Sequence, residues 1–420
     1  MANSVTQSIL VVGGGMAGLT AAIEAAETGY DVYLIEKNAY LGGRVAQLHK
    51  YFPKLCPPYC GLEINFRRMK NSPNARFFTL AEVETVSGQA GDYDVAIRLK
   101  PRYVNEKCTA CGKCAEACGL EIDNPFNYGL DKIKAAYLPH EMAFPYRYVL
   151  DPSLVKSAEA QKVKDACPYG AIELDMTPKT MNLKVGAIIW ATGWDPYDLA
   201  KLDLYGAGQY KNVVNNVGFE RLAALNGPTQ GRIVRPSDGQ APSTIAFVQC
   251  AGSRDENHLG FCSGICCLAS LKQATYVREK LPEAKIYFFF IDLRATDRLE
   301  DFYAQVKKDD KIVFFKGKVA KITEDPVTKS LLLRVENTAT GQLSEISVDL
   351  AVLATGMQPT AGKAKPPLKV RFDDYGFIPA DSGQAGFIGA GCARTPTGVS
   401  EAVADGTAAA LKAIQVIARR

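Results

Sequence analysis

Histidine is scarce in this chain, and the arrangements that hydrolytic chemistry needs are missing with it. Three histidines (His49, His140 and His258) stand apart in 420 residues, each best read as a solvated or hydrogen-bonded side chain. No Ser/His/Asp set and no paired-carboxylate motif accompanies them, which argues against acid–base catalysis. No Lys/Arg block tracks phosphates and the net charge is only +4, so nucleic acid is not an expected partner. The longest apolar stretches, such as Ile286–Ile291, are strand-sized, far short of the ~20 residues that span a bilayer. Residues Met1–Gln7 show neither a charged n-region nor a cleavage site. The expected location is the cytoplasm, with any membrane link made through a partner.

Cysteine, by contrast, is plentiful. Twelve cysteines are hard to read as disulfides in a compartment that keeps thiols reduced. Seven fall in two tight groups, Cys108/Cys111/Cys114/Cys118 and Cys262/Cys266/Cys267, which points to metal or cluster ligation.

The chain begins as a βαβ unit. Residues 8–12 form a continuous apolar strand, Leu19–Thr28 has helical spacing, and a second strand (Asp31–Ile35) ends at Glu36. Between them lies Gly13-x-Gly15-x-x-Gly18. The first glycine permits the tight turn, the second lets the backbone approach a pyrophosphate, and the third lets helix and strand pack closely. The helix N-terminus then faces the negative charge, and Glu36 stands where a carboxylate accepts bonds from ribose hydroxyls.

Three features favour FAD over NAD. Leu41-Gly42-Gly43-Arg44 resembles the turn after the ribose acid in flavoproteins with two dinucleotide domains. The Ala-Thr-Gly turns at 191–193 and 354–356 resemble their paired crossovers, which brings in Thr192 and Gly193. Gly389–Gly391, followed by Glu401-Ala402 opening a helix, resembles their flavin-covering segment, and Gly391 and the Thr395–Thr397 turn are the candidates for the flavin half. The implied fold is α/β and thioredoxin-reductase-like, with two dinucleotide-binding domains and an inserted ferredoxin-like domain. The expected division is a first FAD-binding part (1–100), the [4Fe–4S] insert (101–180) and the FAD-domain continuation with a linker (181–242). A degenerate second nucleotide domain carrying cysteines (243–348) and a C-terminal FAD part (349–420) follow. In the second domain a strand (Thr244–Gln249), a helix near Leu268–Lys280 and a strand (Lys285–Ile291) precede antiparallel strands within Ile312–Val335 and at Glu345–Val352. After Thr244–Gln249 the turn carries one glycine, Gly252, where a nucleotide turn needs three. Direct NAD(P)H oxidation is therefore not expected.

Cys108-x2-Cys111-x2-Cys114 with a distant Cys167-Pro168 is ferredoxin spacing for one [4Fe–4S] cluster, whereas zinc more often takes two CxxC pairs. A second CxxCxxC is missing ahead of Cys167, so Cys118 has no assigned role. Cys250, Cys262, Cys266 and Cys267 allow either a second cluster or a set of small buried core cysteines. Cys56 and Cys60 lie near where disulfide reductases keep a redox pair. They read as a redox disulfide, extra cluster ligands or two quiet thiols, and spacing alone favours the last.

The runs Gln249-Cys250-Ala251-Gly252-Ser253-Arg254-Asp255 and Phe261-Cys262-Ser263-Gly264-Ile265-Cys266-Cys267 resemble heterodisulfide reductase A subunits. So do Cys108–Cys118, the Tyr-Phe-Pro-x-x-Cys stretch at Tyr51–Cys56, and Ile291-Asp292-Leu293-Arg294. That resemblance implies a second [4Fe–4S] cluster on Cys250, Cys262, Cys266 and Cys267. The short chain, with its single-cluster insert, looks like the A subunits of the quinone-interacting membrane-bound oxidoreductases of sulfate-reducing bacteria. This likeness implies two partners, a larger flavin/iron–sulfur B subunit plus a haem-bearing membrane C subunit. It also implies electron flow between menaquinone and adenylylsulfate (APS) reductase, and peripheral attachment to the inner membrane. The other readings are an independent flavin disulfide reductase using Cys56 and Cys60, and a non-redox FAD-binding scaffold.

Overall fold

The computed structural model describes residues 7–418 except Pro53 and Asp297. The first six residues, and the proline of the Tyr51–Cys56 stretch, lie outside the described residues. In chain order the first half contributes β1 (Ser8–Val12), α1 (Met16–Glu27), β2 (Asp31–Glu36), α2 (Tyr59–Asn71) and β3 (Ala75–Thr79). Next come β4 (Ala81–Gln89), β5 (Asp92–Leu99), β6 (Lys179–Val185) and β7 (Ala187–Trp190). The second half contributes β8 (Val213–Asn215), α3 (Asn216–Ala223), β9 (Thr244–Val248), α4 (Cys266–Lys280) and β10 (Lys285–Phe290). It ends with β11 (Ile312–Glu324), β12 (Leu331–Asn337), β13 (Leu343–Val348), β14 (Leu350–Leu353), β15 (Phe387–Gly389) and α5 (Val399–Ala418).

All five residues of β1 are buried, as a strand covered on both faces requires. It lies at the centre of a parallel sheet of order β15-β7-β1-β2-β3. Alanines and glycines let two helices stack on one face of this sheet. α5 turns Ala402, Ala409, Ala410 and Ala413 inward, and a Cβ on its Gly406 would stand 2.5 Å from the Ala17 carbonyl oxygen. Only glycine allows α1 and α5 to approach so closely at that point. The other face is covered by the antiparallel sheet β6-β5-β4.

The second sheet has the order β8-β14-β9-β10-β11-β12-β13. Its first five strands run parallel and the last two turn back antiparallel. Here the structure corrects the sequence reading. The stretch read as one antiparallel strand, Glu345–Val352, is two strands. β13 pairs antiparallel with β12, whereas β14 runs parallel in the sheet interior between β8 and β9. The break falls at Asp349, whose carboxylate accepts from the N–H groups of Ser243 and Thr244 at 2.8 and 3.0 Å and from both hydroxyls. Those donors lock the kink and carry the chain to the sheet centre. Residues 213–215 and 350–353, which the sequence reading left with the FAD domain, are strands of this second sheet.

Residues 101–178 bring their own small core of Val104, Cys118, Ala135, Ala136, Leu150, Leu154, Val163, Ala171 and Ile172. The loop holding Gln47–Phe52 locks the two halves together. Lys272 pairs with Glu220 at 3.0 Å with both side chains at most 4% exposed, and Lys272 Nζ also donates to the Lys50 carbonyl at 2.5 Å. Among the described residues no helix is long and apolar enough to cross a membrane.

Candidate functional site

The three glycines of the β1–α1 turn differ in what surrounds them, and each difference matches a task. Gly13 takes φ +109, and a Cβ there would meet the Ala191 carbonyl oxygen at 2.3 Å. A Cβ on Gly18 would stand 1.8 Å from the Gly13 oxygen, so this position fixes the helix against the strand. Gly15 is the reverse case, with nothing within 4 Å of its Cβ position. Open space over the middle glycine, at a helix N-terminus, is a cradle for a pyrophosphate. Glu36 is 5% exposed and accepts from Gly14 N at 2.7 Å and Asn38 N at 2.8 Å. Burial pushes its carboxyl above the ordinary range, against the pull of those two N–H groups. Gly43 backs onto the same turn, its Cβ position 2.8 Å from Gly15 Cα.

The paired crossovers come together as well. The strands that follow them, Trp194–Pro196 and Met357–Pro359, pair antiparallel, and the Gly193 carbonyl accepts from Thr360 N. Trp190 Nε1, Thr192 Oγ1, Thr355 Oγ1 and both amide atoms of Gln249 are buried without a hydrogen-bond partner among the described residues. All four residues lie at the carboxyl edges of parallel strands, where open α/β sheets bind their ligands. Unpaired buried polar atoms cost roughly 1–3 kcal/mol each, so this concentration fits a polar ligand seated between the sheets. With the open glycine turn and the buried Glu36, the residues present fit FAD.

Gly391 takes φ +58 and donates its N–H to Asp405 at 2.7 Å, and Asp405 also pairs with Arg394 at 2.7 Å. Thr395 N donates to the Gly391 carbonyl, and the Thr397 carbonyl accepts from the Cys392 thiol. The segment named from sequence is thus pinned to α5, with the Gly391 Cβ position 2.7 Å from the Ala17 Cβ of α1. Arg44 behaves differently. Its guanidinium is held by protein groups, the Trp194 carbonyl, the Asp195 carboxylate and the Tyr128 hydroxyl, and it ties the insert to the first crossover.

Cys108, Cys111, Cys114 and Cys167 line one small, partly enclosed pocket, with Tyr148, Tyr169 and Gly112. Gly112 takes φ +84 and opens the short helix Lys113–Ala117, which turns the loop so that three thiols face the same space. Ala110 N donates to Cys108 Sγ at 3.4 Å and Ala171 N to Cys167 Sγ at 3.3 Å. Burial pushes the Cys114 thiol up to about 12, with the neighbouring Cys108 and Cys167 adding to the rise. Cys118 is not part of this pocket. It is 3% exposed within the insert core and donates to the Leu120 carbonyl, a packing role that explains why spacing gave it none.

The structure also gathers Cys250, Cys262, Cys266 and Cys267. Cys250 ends the β9 turn at φ +56, unusual for a residue with a side chain, and Cys266 and Cys267 open α4. Gly264 N donates to Cys262 at 3.3 Å, and the backbone of Gly356 lies against Cys266, that of Arg294 against Cys267 and the Arg254 side chain beside Cys250. Burial pushes Cys250 up to about 11 and Cys266 up to about 12, reinforced by the other thiols of the set. A Cβ on Gly356 would stand 2.1 Å from Ser253 Oγ, so the second crossover presses directly on this turn. Among the described residues no three His, Cys, Asp or Glu side chains converge on one point as the ligands of a lone ion do. Four thiols around one pocket in the first place, and four thiols close enough to raise one another's pKa in the second, fit the four-cysteine ligation of an iron–sulfur cluster.

Cys56 and Cys60 are both free thiols, Cys60 exposed on α2. Tyr51 hydrogen-bonds Cys56, and this contact, with burial, pushes its hydroxyl up to about 12. Sequence reasoning missed Asp405, Arg254 as a partner of Cys250, and the Tyr128 and Asp195 contacts of Arg44. Gly406 beside Asp405, a glycine inside an alanine-rich helix, was the one local signal for the first.

A family model described as FAD dependent oxidoreductase matches residues 8–54. Methanopyrus kandleri has two iron-sulfur A subunits of CoB–CoM heterodisulfide reductase, and the chain is 39% identical to the one numbered 2, over 99% of this chain and 65% of that protein. It is 38% identical to the corresponding A subunit of Methanocaldococcus jannaschii (97% and 64% covered). To the A subunit of the ferredoxin/F420H2-dependent CoB–CoM heterodisulfide reductase of Methanosarcina acetivorans it is 34% identical (98% and 53%). The chain thus spans between 53% and 65% of the length of these relatives. In structure it is similar to the thioredoxin reductases of Lactococcus lactis (TM-score 0.56, 15% identity, 98% and 99% covered) and T. acidophilum (TM-score 0.54, 14% identity, 97% and 98% covered). That likeness shows a thioredoxin-reductase-like fold, and the FAD dependent oxidoreductase model falls on its first βαβ unit.

Proposed function

From its homology over nearly its whole length to heterodisulfide reductase A subunits, we propose that this chain is an electron-transfer subunit holding one FAD and two [4Fe–4S] clusters. Residues 101–180 form the ferredoxin-like insert, with Cys108, Cys111, Cys114 and Cys167 as ligands of one cluster. Cys250, Cys262, Cys266 and Cys267 hold the other. Bound FAD would supply the conversion between two-electron and one-electron transfer.

The chain's own residues do the rest. Gly13, Gly15 and the α1 N-terminus receive the pyrophosphate, and Glu36 receives the ribose. Thr192, Gly193 and the Gly391 segment line the flavin half. Gly43 and Arg44 act from behind, one backing the glycine turn and the other bracing the crossover. The observation that carries the reading is the position of the second thiol set. It stands at the carboxyl edge of β9, where a second nucleotide domain would place its glycine turn, with Gly264 N donating to Cys262 and N–H groups or a guanidinium beside the other three sulfurs.

The finer role is electron relay between the menaquinone pool and APS reductase in dissimilatory sulfate reduction. The partners would be a larger flavin/iron–sulfur B subunit plus a haem-bearing membrane C subunit, with the chain peripheral to the inner membrane. The single-cluster insert, with Cys118 withdrawn into its core, supports this reading.

The test is anaerobic reduction followed in the flavin band. NADH and NADPH are expected to leave the flavin oxidised, whereas dithionite bleaches it and brings up the signals of reduced clusters. Rapid bleaching by either nucleotide would sink the reading of the second domain. For the finer role, menaquinol in the assembled complex should reduce this flavin, and failure to do so would remove the proposed partners.

A further inference from the structure

The two thiol sets differ in one respect that the proposed function does not use. Around Cys108, Cys111, Cys114 and Cys167 the donors to sulfur are backbone N–H groups. At the second set a side-chain cation joins them, the Arg254 guanidinium, which lies beside Cys250 and lines one pocket with Cys262. Arg254 takes φ +55, a left-handed conformation that residues with side chains disfavour. Its N–H donates to the Phe261 carbonyl at 3.2 Å, which fixes the turn. Its side chain pairs with Asp292 at 2.9 Å, and the Asp292 carbonyl lies 3.6 Å from Cys267 Sγ. Arg254 therefore clamps the Cys250 turn to the Ile291–Arg294 loop that touches Cys267.

Beside it is a solvent-open pocket of about 390 Å³ lined by Arg254, Asp255, Glu256, Gly260, Cys262 and Arg294. The charges are arranged by depth. The Asp292 side chain is 53% exposed against 25% for Arg254, so the carboxylate sits toward solvent and the guanidinium toward sulfur. Asp255 is spoken for by Lys318 at 2.9 Å. Arg294 adds a second cation near Cys267. Water screens the outer anions more than it screens a cation beside a buried thiol.

We propose that Arg254 is a positioning and tuning residue for the second iron–sulfur cluster, holding its reduction potential above the value the thiolates alone would set. The inference rests on Cys250, Cys262, Cys266 and Cys267 being cluster ligands. Taking up one electron from an external reductant makes the cluster more negative by one charge and breaks no bond. A fixed cation at a ligand sulfur favours that reduced state, and hydrogen bonds to sulfur act in the same direction.

The experiment is a redox titration of the anaerobically purified protein with dithionite, following each cluster by electron paramagnetic resonance, with iron counted on the same samples. Arg254→Gln should move the midpoint of the second cluster to more negative potential. Iron content and the midpoint of the Cys108 cluster should stay unchanged. Arg254→Lys, which keeps the charge, should restore most of the shift, and Asp292→Asn should move the midpoint the opposite way. An unmoved midpoint in Arg254→Gln with full iron would overturn the proposal. Loss of iron in Arg254→Gln, with the Asp292→Asn midpoint unmoved, would also overturn it and leave Arg254 a purely assembling role. Failure of the underlying reading looks different, because Cys267→Ser would then lose no iron.

Discussion

Single glycines carry different burdens in the dinucleotide turn, and substitution separates them. Gly15→Ala adds a methyl group where nothing lies within 4 Å. The fold should be kept, with melting temperature near that of the parent, while FAD per chain falls because the methyl occupies the phosphate approach. Gly18→Ala puts its methyl 1.8 Å from the Gly13 oxygen. This should destabilise the chain by about 1–3 kcal/mol through overpacking before any question of cofactor arises. Thermal melts and the flavin absorbance of each variant check the pair. Equal effects of the two variants on both readouts would contradict the assignment. These glycines were legible from sequence because each answers a local geometric demand. Arg44 was legible only in part. Its position after Gly42-Gly43 fitted a pattern, but its partner Asp195 lies 151 residues away, beyond the reach of any local signal.

Elements show the same division. The βαβ unit was readable because apolar run, glycine turn and helical spacing agree within thirty-odd residues, the kind of local consistency that specifies a fold. The second sheet was readable from β9 to β13, whereas β8 went unread and β14 was joined to β13. Alternating apolar residues continue across Asp349, so periodicity alone joins β13 to β14. The break comes from donors on Ser243 and Thr244, more than a hundred residues earlier in the chain. Burial works against the Asp349 charge, and those donors hold its carboxyl below the ordinary range nonetheless. Asp349→Ala should cost about 2–3 kcal/mol, the scale of hydrogen bonds to a charged group, measurable as a drop in the denaturation midpoint. A neutral result would mean that sheet pairing, not this carboxylate, places β14. Helix α4 was expected near Leu268 and begins at Cys266, which sets both members of the adjacent pair at its first turn.

For the whole molecule, acid should loosen the contacts among insert, FAD domain and second domain. Burial pushes His49 and His140 down to about 4, helped by nearby lysines for His49 and by Arg221 for His140. His49 meets Tyr276 edge-on at 4.8 Å, and His140 stacks on Phe126 at 4.6 Å. An unfolded histidine takes up its proton near pH 6.5 and the folded ones resist until about pH 4. The unfolded state therefore binds more protons in that window, and stability falls as pH drops through it. Each histidine contributes up to about 1.4 kcal/mol per pH unit, less where solvent reaches the ring. Melts between pH 7 and 4 should show this loss, and His140→Phe should flatten the slope. A slope unchanged in that variant would move the effect elsewhere.

The account stands on two cluster sites and one flavin in a single chain, and metal counting tests that most directly. Iron, acid-labile sulfide and flavin would be measured per chain on anaerobically purified protein, alongside Cys111→Ser, Cys267→Ser and Cys118→Ala. About eight irons and one FAD are expected, falling to about four in either of the first two variants and unchanged in Cys118→Ala. About four irons in the parent, with no further loss in Cys267→Ser, would contradict the second site and return its four cysteines to ordinary packing.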